Sequence, residues 1–215
     1  MPVQPSTANL TLNKLHTLYL YCMINESTDF GDFLDALTTP ALAQLTVQVQ
    51  NFSRLQRTGH RPCFSQLLFR SQPPLKSFSL LGTYMMADNI VNCLRSMPEL
   101  IIISGDGELF STTVMDALTP SLNPTKVPLC PMLAMIGLKD ESASFPALEA
   151  MIYARWKISK QKRRDGFNVQ IRAVEVVELP EELKFRSLFL QSQEMAECIE
   201  DGLVCLINIL KNATP

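Results

Sequence analysis

The chain holds only two histidines, His16 and His60, in 215 residues, so histidine chemistry has few places to sit. No nucleophile stands beside either in a recognisable motif, which argues against a serine or cysteine hydrolase triad. Its six cysteines, at 22, 63, 93, 130, 198 and 205, form no Cys-x-x-Cys pair and have no histidine at metal-ligand spacing. They are therefore expected to be buried thiols of a reducing compartment, and no metal and no cofactor are expected. No apolar run approaches the ~20 residues of a membrane-spanning helix, and the first ten residues lack the basic and apolar regions of a signal peptide. The expected location is the cytoplasm or the nucleus, and the four Asn-x-Ser/Thr sequons, at Asn9, Asn25, Asn51 and Asn212, are read as chance matches. Glycines number 8 against 14 prolines, and no strand leads into a Gly-x-Gly-x-x-Gly or P-loop sequence. The net charge of −2 gives no general attraction to nucleic acid or anionic membranes.

What the chain does have is a hydrophobic share of 47%, enough for a substantial core, and a recurring short pattern. Leu75, Phe78 and Leu80 follow Pro73-Pro74 in the spacing LxxLxL. Leu15, Leu18 and Leu20 share that spacing, as do Leu42, Leu45 and Val47, and weaker copies begin at Leu100, Leu133 and Ile171. The middle apolar residues fall at 18, 45, 78, 103, 136 and 174, intervals of 27, 33, 25, 33 and 38 residues. Between the copies lie apolar stripes of helical period. Examples are Phe30, Phe33, Leu34 and Leu37, then Phe64, Leu67 and Leu68, and then Ile90, Val91, Leu94 and Met97 with Asp88 as N-cap. Phe110, Val114 and Leu118 mark a fourth helix, and Leu148, Met151, Ile152 and Arg155 a fifth that opens at Ser144-Phe145-Pro146. A sixth spans Pro180 to about Gln191.

A unit of strand, turn and helix with three strand leucines gains roughly 5–9 kcal/mol from their burial. Ordering its ~30 residues costs ~1–2 kcal/mol each, so a unit cannot stand alone and must stack on neighbours. The fold class read from this is α/β: a solenoid, or horseshoe, with short parallel strands on the concave face and helices on the convex face. Residues 1–193 form about six units. Residues 194–215, with Met195, Ile199, Leu203, Leu206 and Leu210 on one side, read as an amphipathic capping helix of the same domain. A doubly wound sheet is the rival, but its strands should be continuous Val/Ile runs, whereas these alternate with polar residues.

The segments Pro73–Leu80, Thr39–Val47 and Met97–Ile103, each after an apolar helix such as that ending at Leu37 or Ser96, resemble the leucine-rich repeats of F-box proteins, in phrasing the large fungal families. A late helix carrying Ala154-Arg155-Trp156 fits the same families, and the resemblance covers roughly residues 10 to 178. It implies a non-catalytic domain that recognises a protein, as the substrate-reading part of a ubiquitin-ligase adaptor does. Docking to the ligase core would need an F-box. None precedes Leu12, and Leu179-Pro180-Glu181-Glu182-Leu183, which has a similar opening, reads as a proline-started repeat helix. A structural repeat protein without ligase docking and an α/β enzyme are the alternatives.

Alternation along each strand assigns the concave positions: Thr17, Tyr19 and Tyr21; Gln44, Thr46 and Gln48; Ser77 and Ser79; Ile102 and Ser104; Met135 and Lys139; Glu175 and Val177. Mostly small, uncharged and polar, with two tyrosines at one end, they suit contact with a protein. Gly105-Asp106-Gly107-Glu108 reads as a turn, since it lacks the further ligands of a calcium loop. Lys157, Lys160, Lys162, Arg163 and Arg164 read as a solvated basic loop, with nuclear import and nucleic-acid contact as weaker readings.

Overall fold

The computed structural model describes residues 10–23, 34, 36–50, 64–83, 85–121, 128–165, 171–181 and 183–207. The chain is an α/β protein built on one seven-stranded parallel sheet. Its strands are β2 (Thr17–Met23), β4 (Gln44–Gln50), β5 (Ser77–Leu81), β6 (Ile102–Gly105), β7 (Met135–Leu138), β8 (Val176–Leu179) and β9 (Val204–Ile207), side by side in chain order. Two short strands, β1 (Leu10–Thr11) and β3 (Leu37–Thr38), pair apart from it. The order never reverses, so the sheet lacks the switch point of a doubly wound fold.

The recurring spacing explains the sheet. In the register Leu45 lies beside Phe78, Phe78 beside Ile103, Ile103 beside Ile136, and Ile136 beside Val177. All five are fully buried, and the residues three before them, Leu42, Leu75, Leu100, Leu133 and Val174, are buried too. The third place of the pattern is Val47, Leu80, Leu138 and Leu179, except in β6, where Gly105 takes it. A Cβ there would lie 2.0 Å from the Leu80 carbonyl oxygen, so only glycine fits.

The helices are α1 (Phe64–Ser71), α2 (Ala87–Arg95), α3 (Thr112–Leu118), α4 (Phe145–Asp165), α5 (Leu183–Gln191) and α6 (Gln193–Glu200). Neighbours in chain order pack on one another, and α4 also meets α6. Their inward residues, among them Leu67, Leu68, Ile90, Leu94, Val114, Leu148, Met151, Phe189 and Met195, share one core with the strand leucines.

Two arginines tie successive units together. Arg155 of α4 is fully buried, and among the described residues its hydrogen-bond partners are backbone carbonyls. Its Nε donates to the Leu118 carbonyl at 3.1 Å, Nη2 to Leu129 at 2.7 Å, and both Nη1 and Nη2 to Cys130 at 3.1 Å. Burial lowers its pKa to about 10, which leaves it charged at neutral pH. Arg70 of α1 repeats the device with less burial, donating to the Leu34 and Leu37 carbonyls. Both reach back into the preceding unit, where Asp35-Ala36-Leu37-Thr38 and Asp116-Ala117-Leu118-Thr119 are the same four residues.

Several expectations are corrected. The segment from Glu194 onward is not one helix: α6 stops at Glu200, Gly202 turns the chain at φ +110°, and β9 adds a seventh rung. Leu203 is buried ahead of that strand, Leu206 is exposed on it, and Leu210 lies outside the described residues. The sixth strand runs from Val176, with Ile171 to Glu175 ahead of it, so its buried triplet is Val174, Val177 and Leu179. The basic run is not a loop: α4 continues to Asp165 and carries it, because lysine and arginine are good helix formers. Asp88 is not the cap of α2 but lies in its first turn behind Met86. The helix expected from Phe110 is a 3-10 turn, Gly107–Phe110, followed by α3. The helix expected around Phe30 to Leu37 falls outside the described residues apart from its end, where Leu37 is in β3.

Candidate functional site

One face of the large sheet is covered by the core and the other is open. Its first row, from the strand starts, is Thr17, Gln44, Ser77, Ile102, Met135, Val176 and Val204. The second is Tyr19, Thr46, Ser79, Ser104, Gly137, Glu178 and Leu206. A third, shorter row holds Tyr21, Gln48 and Leu81, and Lys139 follows β7 on the same side.

Neighbouring rungs satisfy one another. Thr17 Oγ1 donates to Gln44 Oε1 at 3.3 Å and the Tyr19 hydroxyl to Gln48 Oε1 at 2.6 Å. Ser104 Oγ donates to Ser79 Oγ at 3.0 Å, and Lys139 Nζ to Glu178 Oε2 at 3.2 Å. The tyrosine end stands proud: Tyr19 is 58% exposed and Tyr21 48%. The middle is closely packed, since Ser79 is only 8% exposed and a Cβ on Gly137 would meet the Ser104 Cβ at 2.9 Å.

Twelve of the fourteen expected positions lie on this face, at or just beyond the strands. Glu175 and Val177 do not. Val177 is buried in the core, and Glu175 precedes β8 with its carboxylate held by Arg172 at 2.8 Å. The face positions there are Val176 and Glu178. The frame Val174-x-x-Val177-x-Leu179 was present to be read, and starting it three residues early, at Ile171, exchanged the two faces. Val204 and Leu206 were missed with their strand, and Gly137 because a bare backbone carries no side-chain signal.

Past the strand ends the face has an acidic border. Both Asp106 carboxylate oxygens accept from the Gly82 N–H at 2.9 Å. Asp140 accepts from Gly107 N–H at 3.4 Å and from the Ser142 hydroxyl at 2.6 Å, an arrangement that closes the expected turn. Burial raises the Asp106 pKa above its ordinary value, the Gly82 bond opposes that, and the charge of Asp140 adds to it.

Away from the face, a cleft of about 520 Å³ lies between α4 and the turn before β9. Asp201 accepts there from Trp156 Nε1 and from Lys160 Nζ, each at 2.7 Å, and the ammonium sits 4.4 Å over the indole. Trp156, Lys160 and Asp201 thus engage one another on the wall of the cleft. Cys198 on its wall is buried and its thiol is pushed up to about 12, as is that of Cys130, both chiefly by desolvation. Thiols held protonated are poor nucleophiles and poor metal ligands. Cys93, Cys130, Cys198 and Cys205 are thiols, not disulfides. His16 is exposed, its Nδ1 3.1 Å from the Ala41 carbonyl, and His60 lies outside the described residues. Among the described residues no group of three or more His, Cys, Asp or Glu is placed to hold a metal ion, and no helix is long and apolar enough to cross a membrane.

No family model, no curated protein and no solved structure matches this chain.

Proposed function

We propose that the chain is a leucine-rich-repeat solenoid that binds a protein partner across the open face of its sheet, in the manner of the substrate-reading part of an F-box adaptor. The observation that carries this reading is the asymmetry of the sheet. Seven strands are covered on one side by a continuous core, while the other side presents matched rows with two tyrosines about half exposed. Rigid aromatic groups on a supported surface give contact area at low entropic cost, the property of binding hot spots. Four pairs of polar groups on the face already satisfy one another, which suits contact with a shaped surface better than acid–base chemistry. The cytoplasm or nucleus is the proposed setting.

The test is site-specific photocrosslinking in cells followed by mass spectrometry. A photoreactive residue replaces Thr46 or Tyr21 on the open face, or Asp116 on a helix as control. The same protein captured from both face sites and absent from the control supports the reading. Equal capture at all three sites overturns it. Ligase-core components among the captured proteins would extend it to adaptor function, and their absence would confine it to binding.

A further inference from the structure

The open face changes character along its length. In the first row Thr17, Gln44 and Ser77 give way at β6 to Ile102, Met135, Val176 and Val204, an apolar stripe crossing four rungs. Beside it, at Gly137, the second row drops to bare backbone. Rungs of a sheet recur every ~4.8 Å. An α-helix laid across them presents one side chain per turn, every ~5.4 Å, and is out of step by only about 2 Å after three intervals. An extended segment presents same-side residues every ~6.8 Å and is about 6 Å out of step over the same length. The stripe therefore matches a helix rather than a strand.

Charge fixes the flank. Along the strand-end edge from β6 to β8 the described residues place Asp106, Glu108, Asp140, Glu141, Glu178 and Glu181 against one cation, Lys139, which Glu178 already engages. Asp106 and Asp140 repel each other, so the edge gains from an added positive charge. At the opposite edge Lys76 and Arg172 balance Glu99 and Glu175, and Arg172 is paired with Glu175.

We propose that the β6–β9 half of the open face takes a basic amphipathic helix of a protein partner, its apolar ridge on Ile102, Met135 and Val176 and its lysines or arginines over the acidic edge. This rests on the reading of the open face as a partner-binding surface.

The experiment pans a displayed library of helix-forming 18-residue peptides, varied at all positions, on the full chain. Enriched peptides are then titrated against the wild type, Met135→Asp, Glu108→Lys with Glu141→Lys, and Tyr19→Ala with Gln44→Lys. Circular dichroism melting confirms that each variant is folded. The charge reversal is at two exposed residues, so it reports binding even if Met135→Asp fails to fold. Expected are peptides with apolar residues at i, i+3 or i+4 and i+7, flanked by Lys or Arg. Their affinity should fall about tenfold or more with the charge reversal and with Met135→Asp, and should weaken as salt rises. Peptides that are acidic or lack that period, or no enrichment at all, overturn the proposal. Peptides lost only on Tyr19→Ala with Gln44→Lys overturn it and leave the wider reading standing. Peptides indifferent to every open-face change overturn both.

Discussion

The two faces of the large sheet are one residue apart and obey opposite rules. Phe78 and Leu80 are at most 1% exposed and touch the helices, while Ser77 between the same strands is half-buried and meets solvent. On the core side only apolar residues are accepted, from Leu45 through Phe78, Ile103 and Ile136 to Val177, because each position must fill the slot beside its neighbours one rung away. On the open side it is loose, running from Tyr19 through Thr46 and Ser79 to Gly137 and Glu178 in a single row. The comparison places stability on the core side and leaves the open side to carry the proposed binding. It also has an exception on each side: a charge in the core, Arg155, and a tightly packed position on the open face, Gly137.

The largest effect should come from breaking the core side. Phe78→Asp with Leu80→Asp loses two buried side chains and inserts two unpaired charges, well over ~5 kcal/mol. No cooperative transition should remain in urea, and a preserved one would refute the assignment of faces. Arg155→Ala comes next. It leaves the Leu118, Leu129 and Cys130 carbonyls without this donor and should cost about 3–5 kcal/mol, measured by chemical denaturation. Arg155→Lys should recover only part of that, since an ammonium cannot fork to three carbonyls.

On the open face, Gly137→Val should cost about 1–3 kcal/mol, because its Cβ lands against the Ser104 Cβ and close to the Glu178 carboxylate. A wild-type melting temperature in that variant would mean that the face is uniformly permissive. Tyr19→Ala should change stability by no more than about 0.5 kcal/mol while reducing capture of a partner. The smallest effect is a pH dependence. The Asp106 pKa is raised in the folded state, so the folded state binds the proton more tightly than the unfolded one. Stability from this group is therefore greatest in acid and declines as pH rises from the ordinary aspartate range through the folded value. In Asp106→Asn that part of the decline should disappear from denaturation midpoints measured across the acid range.

Five of the seven rungs were legible in the sequence because their spacing rests on large residues, as at Leu42, Leu45 and Val47. β8 was misplaced because Ile171 imitates the first residue of the pattern, and an odd shift exchanges faces. β9 was hidden because Met195, Ile199 and Leu203 are spaced as on a helix, and an i+3 step carries that helical spacing on to Leu206 beyond the turn at Gly202. What decides that segment is the open edge of β8, which offers Glu175 O to Val204 N–H at 2.8 Å, a partner no local pattern displays. On the candidate face the tyrosines and amides were readable from alternation alone. The acidic edge was not, since it gathers residues from 106 to 181 that only the stacking of rungs brings together.

Arg155 and Arg70 grip backbone carbonyls, and carbonyls are the same whatever residue carries them. The joint between units is thus written in the gripping arginine, and the side chains of the gripped segment answer to the core instead, where Leu34, Leu37, Leu118 and Cys130 are buried. Leu129 and Cys130, or Leu34, can be replaced through mutation without touching the bond itself, provided the chain follows the same path. A joint of this kind survives any substitution that keeps the core filled and the backbone carbonyls in place.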